Sequence, residues 1–186
     1  MLCCKLRATI LFLCDMKDEK NITAAFSGHR SYDGRDDEKL YAIIEQLYGR
    51  GFRRFLVGMA WGFDLAAARM VVKLKSVNPD VALVAVEPYG GFRSLFKGDD
   101  AVLYDEILMA ADDRVVVGEV AGVGSLMARN RYLVDEASHL VAWWNREKGS
   151  GTAYTVGYAK RQGVMVENIY PREVDLFSMI DYGMEV

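Results

Sequence analysis

Two glycine-rich turns, Ser27-Gly28-His29-Arg30 and Gly58-Met59-Ala60-Trp61-Gly62-Phe63-Asp64, each follow an apolar run of strand character. A third, Gly149-Ser150-Gly151-Thr152, stands at the start of a helical stretch. Glycine belongs where backbone turns at positive φ or approaches a ligand without a Cβ in the way, and a helix N-terminus presents unpaired N–H groups to an anion. The chemistry these turns suit is the holding of a phosphate. His29 and Arg30 strengthen the reading, because a turn rarely buries a cation without a partner. Gly58 and Gly62 also have a plainer reading, a tight strand-to-helix connection with Asp64 as the helix N-cap.

Other chemistries lack their residues. The chain has no GxxxxGK[ST] phosphate loop, no GxSxG nucleophile elbow and no complete GxGxxG: Gly122-Val123-Gly124 begins like the last, but Met127 stands where its third glycine belongs. The two histidines, His29 and His139, are far apart and no HExxH joins them, so no metal site is expected. Arg131 and Asp135, four apart on a helical stretch, read as an exposed ion pair. Trp143 and Trp144 are split by strand alternation, one buried and one nearer the sheet end, with stacking on a base as the alternative.

Stepping outward, 186 residues, 52% apolar and 26% charged, make one well-buried domain and are too few for two ordinary ones. The net charge of -3 lacks the basic excess that neutralises many phosphates along a nucleic acid, so a small nucleotide is the better-matched anion and nucleic acid is disfavoured as a partner. All three cysteines, Cys3, Cys4 and Cys14, precede the domain, which carries no disulfide framework and reads as cytoplasmic. Residues 1–20 read as an N-terminal arm, or as the product of an upstream start with Met16 as the natural first residue. Their apolar stretch, Ala8 to Cys14, is too short to span a bilayer and lacks a cleavage site. No membrane partner is expected.

The elements that must position the turns alternate between short apolar runs and helical stretches, the pattern of βαβ units. Strands are predicted at Ile22 to Phe26, Arg54 to Val57, Val81 to Glu87, Arg114 to Val117, Leu140 to Trp144 and Val164 to Ile169, apolar enough to be covered on both faces. Helices are predicted at Asp36 to Arg50, Asp64 to Ser76, Ala101 to Ala111, Leu126 to Ala137 and Ala153 to Gln162. The first buries Leu40, Ile43, Ile44 and Leu47; the second turns Leu65, Ala68, Val72 and Met70 inward. A small helix in the tail, Arg172 to Val186, is left open. The fold class is α/β, Rossmann-like, three layers with a mainly parallel sheet, formed as one domain over residues 21–186. In such a sheet ligands collect beyond the carboxyl ends of the strands, where strand order reverses, and every glycine-rich turn falls at such an end.

Ser27-Gly28-His29-Arg30, Gly58-Met59-Ala60-x-Gly62-x-Asp64-x-x-Ala67-Ala68, Arg129-Asn130-Arg131 and Gly149-x-Gly151-Thr152 are together similar in order and spacing to the SLOG superfamily. This Rossmann-like group includes YpsA-like proteins, the DNA-processing protein DprA and the LOG phosphoribohydrolases. The resemblance is nearest to the YpsA-like branch and covers about Ile22 to Pro171. It implies a pocket for a nucleotide or an ADP-ribose-like ligand, in a sensor or regulatory module needing no cofactor, and it is compatible with a homodimer. The implied contacts are Ser27, Gly28, His29, Arg30, Gly58, Met59, Gly62, Asp64, Glu87, Arg129, Asn130, Gly149, Ser150, Gly151 and Thr152. Within that set the glycines and Thr152 offer close contacts to phosphate or ribose, Arg30 and Arg129 fork onto phosphate oxygens, Asp64 caps its helix or accepts a ribose hydroxyl, and Asn130 orients a polar group. The helices after Gly62 and after Gly151 would each favour an anion by about 0.3 to 2 kcal/mol.

Two further functions follow from the same resemblance. LOG hydrolases carry a PGGxGTxxE pattern whose glutamate serves glycosidic cleavage, whereas this chain continues Gly151-Thr152-Ala153-Tyr154-Thr155 and lacks that carboxylate. Glu87, Asp64 and Asp135 are left as carboxylates for a different cleavage. A DprA-like module for single-stranded DNA is the third reading, which the scattered basic residues demote.

Overall fold

The computed structural model describes residues 19–171. The expected arm lies outside the described residues except for its last two, as do Met1 and Met16, and the tail from Arg172 lies outside them entirely.

Six strands form one parallel sheet: β1 (Thr23–Gly28), β2 (Arg54–Val57), β3 (Ala82–Tyr89), β4 (Asp113–Gly118), β5 (His139–Trp143) and β6 (Met165–Asn168), in the order β4-β3-β2-β1-β5-β6. Helices α1 (Asp37–Gly49), α2 (Phe63–Lys75), α3 (Gly98–Ala110), α4 (Val123–Asp135) and α5 (Gly151–Arg161) connect them, with a 3₁₀ turn at Phe92–Leu95 before α3. All six strands and five helices coincide with the predicted ones apart from shifts at their ends. The fold is the expected Rossmann-like α/β arrangement.

The chain winds outward from central β1 through β2 and β3 to β4. It then returns through α4 to place β5 on the other flank of β1, so strand order reverses between β1 and β5. Alternating strand side chains supply the two faces. Ala24, Phe26, Phe55, Val57, Leu83 and Ala85 pack with Leu40, Ile44 and Leu47 of α1, Ala67 and Val71 of α2 and Tyr104 and Ile107 of α3. Ala25, Leu56, Val84, Val86 and Leu140 pack with Leu133 and Val134 of α4 and Val156 and Ala159 of α5. Each Val, Leu, Ile or Phe among them contributes about 1.5 to 3 kcal/mol on full burial.

Two expectations need correction. The inner strands are covered on both faces, but edge strand β4 is covered on one only: Val115 and Val117 pack toward α4, whereas Val116 on the opposite face is 44% exposed because α3 packs on β3 and α2 instead. Apolarity alone does not reveal that a strand is an edge. In α2, Val71 and Leu74 are buried and Val72 only partly, since that helix is enclosed by the sheet, α1 and α3 together.

His139 opens β5 at 2% exposure, its Nε2 3.2 Å from Glu167 Oε2 on β6 and its ring edge-on to Phe52. Burial pulls its pKa below the ordinary 6.5, an effect that Glu167 opposes and Arg50 assists. The folded state therefore prefers the neutral ring. As pH falls below about 6.5 the unfolded chain takes up the proton first, and stability declines until the folded ring also protonates. Replacing His139→Gln should flatten the stability profile as pH falls below about 6.5 in denaturant titrations. Equal slopes in the two proteins would show that burial does not set this ring's titration.

Candidate functional site

Above the carboxyl ends of β1 and β5, where strand order reverses, lies a cavity of about 570 Å³. Its walls come from the β1 turn (Ser27, Gly28, His29, Arg30 and Ser31), the β2 turn and start of α2 (Ala60 and Asp64), α4 (Val123, Leu126, Met127, Arg129 and Asn130) and the start of α5 (Ser150, Gly151 and Thr152). Remote segments converge as the parallel topology requires. Ten of the fifteen sequence-predicted residues line this space; Gly58, Met59, Gly62, Glu87 and Gly149 do not.

The floor is a buried ion pair. Asp64 and Arg129 are 4% and 6% exposed, with Arg129 Nη1 3.1 Å from Asp64 Oδ2. The Ala60 N–H donates to Asp64 Oδ2 at 3.4 Å, and Arg129 Nη1 also donates to the Gly58 carbonyl. Burial pushes the Asp64 carboxyl up, against the pull of Arg129 and of the Ala60 and Gly28 amides. Burial likewise brings the Arg129 guanidinium down, with Asp64 opposing and Arg30 assisting. In both shifts desolvation is the largest cause and the mutual attraction opposes it. Arg129 Nε is buried without a partner among the described residues.

The glycines near this floor make room for the protein itself. A Cβ on Gly58 would lie 2.0 Å from Arg129 Nη1, and one on Gly28 would lie 2.4 Å from Phe63. Gly62, at φ +72°, is the N-cap of α2, and a Cβ there would lie 2.5 Å from the Arg30 carbonyl oxygen. Asp64 is therefore within the first turn of α2 and does not cap it. The Phe63 N–H donates to the His29 carbonyl at 3.3 Å, so the β1 turn already occupies this helix end. The expected anion preference of α2 is corrected accordingly. Met59, fully buried at φ +57°, belongs to the core beneath the turn.

The start of α5 is different. Ser150 caps it by accepting the Ala153 N–H at 3.0 Å, and the Gly151 and Thr152 N–H groups are engaged by no acceptor among the described residues. Gly149, at φ +82°, turns the chain into the helix. Asn130 brings Nδ2 to this end, 3.8 Å from where a Gly151 Cβ would be. Arg30 is exposed, its guanidinium 5.0 Å over the Trp61 ring, with no carboxylate in ion-pair range among the described residues. With Asp64 and Arg129 offsetting each other, Arg30 leaves the cavity one positive charge in excess.

His29 Nε2 lies 2.8 Å from Asn145 Oδ1 and 3.2 Å from the Asn145 amide nitrogen, tying the β1 turn to the loop that enters α5. A single ring nitrogen satisfies one of these at a time, donating as N–H or accepting through its lone pair.

Other candidates have structural employment. Glu87 is fully buried, accepting from Tyr104 and Arg114, and ties β3 to α3 and β4. Burial and Glu87 raise the Tyr104 hydroxyl well above its ordinary value. Asp135 accepts from Tyr158 at 2.9 Å, and its expected pairing with Arg131 is absent from the ion pairs among the described residues. Trp143 is buried with its indole N–H on Asp36, while half-buried Trp144 donates to the Glu147 carbonyl; neither lines the cavity. Sequence reasoning missed Ala60, Ser31, Val123, Leu126 and Met127. The last three, with Asn130, recur at i, i+3, i+4 and i+7, a stripe that a helix begun at Val123 would have revealed. Among the described residues no group of three His, Cys, Asp or Glu side chains is placed to hold a metal, and no helix is long and apolar enough to cross a membrane.

The model of the YspA SLOG family matches residues 37–174. This chain belongs to that family. The SLOG chain is 31% identical over 137 residues to the uncharacterised SPbeta prophage-derived protein YoqJ of Bacillus subtilis, covering 67% of this chain and 80% of that protein. It is 28% identical over 128 residues to a UPF0398 protein of Halalkalibacterium halodurans, covering 68% of this chain and 66% of that relative. Among solved structures, DprA of Streptococcus pneumoniae is similar with a TM-score of 0.61 at 20% identity, over 91% of this chain and 58% of that one. DprA of Helicobacter pylori, in a structure described by its unique single-stranded DNA binding mode, has a TM-score of 0.61 at 16% identity, over 91% of this chain and 75% of that one. The expectation that disfavours nucleic acid as a partner is thereby overturned: the Helicobacter protein shows the same architecture in a single-stranded DNA binder. Net charge describes a whole chain, whereas binding responds to the local field.

Removing one member of the buried pair from this SLOG protein leaves the other charge uncompensated. Arg129→Met should therefore destabilise by about 3 to 5 kcal/mol, and Asp64→Asn added to it should recover a large part of the loss. Denaturant unfolding of the double-mutant cycle measures this. Additive losses would mean that the two charges are not coupled.

Proposed function

We propose that this SLOG protein binds a nucleotide-derived ligand of the AMP or ADP-ribose kind through its phosphate, as a sensing or regulatory module. The supporting observation is that the Gly151 and Thr152 amides, engaged by no acceptor among the described residues, line the same cavity as Arg30 and as Arg129, whose Nε is buried without a partner among those residues. Helix amides attract an anion, and a guanidinium adds charge-assisted hydrogen bonds. A phosphate seated there would accept from the Gly151 and Thr152 amides, with the guanidinium groups adding favourable charge. Asn130 Nδ2 and the Thr152 hydroxyl flank the same helix end and complete a donor-rich seat.

The wall residues favour binding over glycosidic cleavage. Asp64 is the one carboxylate among them, and it is committed to Arg129 and the Ala60 amide. A general acid or base needs a carboxyl free to exchange a proton with the ligand.

A second reading, single-stranded DNA held by one phosphate and an adjoining base, draws on the shared architecture with Helicobacter pylori DprA. Calorimetry with AMP, ADP-ribose, NAD and a short single-stranded oligonucleotide separates the two, since free nucleotides should saturate the site without release of base or ribose phosphate. Arg30→Ala should weaken nucleotide binding about tenfold or more with little change in the unfolding midpoint, because the side chain is exposed. Absence of binding by every free nucleotide at millimolar concentration would end the first reading, and saturation by the oligonucleotide alone would establish the second.

A further inference from the structure

Helix α4 presents Val123, Leu126, Met127 and Asn130 to the cavity at i, i+3, i+4 and i+7, one face of the helix. The stripe is chemically graded. Asn130 abuts the first turn of α5, the proposed phosphate seat, whereas the stripe positions in the two turns before it, Val123, Leu126 and Met127, are apolar. From Val123 to Asn130 the helix rises roughly 10 Å, comparable to the reach of a nucleoside 5′-phosphate from phosphate to base. At the outer end Val123 is 71% exposed, apolar surface left to water on the cavity wall.

We infer that the Val123, Leu126 and Met127 stripe seats the heteroaromatic base of the ligand by its face, so that the site accepts different purines without reading their hydrogen-bonding edges. The inference rests on the phosphate reading above and adds what that reading lacks, a place for the base and a rule of selectivity. Aliphatic side chains and a thioether gain dispersion and burial against any ring face, and methionine sulfur adds favourable contact with aromatic edges. None of the three offers a strong hydrogen-bond donor or acceptor, so adenine, hypoxanthine and guanine are alike to this wall. The N–H groups in the first turn of α4 point along the helix axis and away from the stripe. Discrimination by base edge requires buried polar groups that a wrong base leaves unpaired, and this wall has none.

Calorimetry on the full chain with ribose 5-phosphate, AMP, IMP and GMP tests the proposal. AMP should bind about tenfold or more tightly than ribose 5-phosphate, the gain expected of one stacked base, and the three purine nucleotides should agree within about threefold. Leu126→Ala should shrink the ratio between AMP and ribose 5-phosphate; ribose 5-phosphate itself reports whether the variant is folded. Equal affinities for AMP and ribose 5-phosphate, or a preference of about thirtyfold for one purine, would overturn the base assignment while leaving the phosphate seat intact. Failure of both AMP and ribose 5-phosphate to bind would remove the phosphate reading and this inference together.

Discussion

A carboxylate and a guanidinium buried together beneath the carboxyl ends of the strands constrain everything around them. Charges withdrawn from water must be enclosed by donors and acceptors, and the chain supplies these from two segments: the Gly58 carbonyl and the Ala60 amide in the turn between β2 and α2, and Arg129 itself from α4. The pair contributes little net stability, because its desolvation offsets its attraction. Its effect is positional: the β2 turn and α4 can meet over the sheet only in the register that brings Asp64 to Arg129. That register fixes the cavity floor.

The glycines follow from the same constraint. At Gly58 the absent Cβ is space taken by Arg129, at Gly28 by Phe63, and at Gly62 by the Arg30 carbonyl. Glycine before a helix is equally required for close approach of a ligand or of the protein's own chain, and sequence does not distinguish the two demands. Strand ends and helix faces were legible because apolar periodicity records burial directly: Leu40, Ile43, Ile44 and Leu47 are read as one face and are buried as one face. Convergence of the turns after β1, β2 and β5 was legible too, since parallel topology sends every strand end to one side. Less was recoverable for Glu87. A carboxylate at a strand end has the same sequence signature whether it faces a ligand or, as here, meets a tyrosine from α3 and an arginine from β4.

Charge was the least legible property. The net value of -3 sums acidic residues spread over the whole surface, while within the cavity one carboxylate stands beside two guanidinium groups and an open helix N-terminus. Field strength at a site depends on the nearest groups and their solvent exposure, and distant surface charges are screened within about 8 to 10 Å. A mildly acidic chain is thus compatible with a cationic pocket, for a free nucleotide or for a nucleic acid.

One helix unites these features. Arg129 of α4 lies on the floor, Asn130 touches the start of α5, and Val123, Leu126 and Met127 form the apolar wall. Helix α4 is also the crossover that carries the chain from edge strand β4 back across the sheet to β5, packing on β1, β3 and β4 and beside α5 as it passes. Its route is imposed by the reversal of strand order, and that reversal opens the crevice it borders. On the proposed reading, ligand selectivity would depend strongly on the face that this single crossover helix turns inward. A relative could retain the ion pair, the glycines and the α5 terminus, and change what it binds by altering three apolar positions of α4.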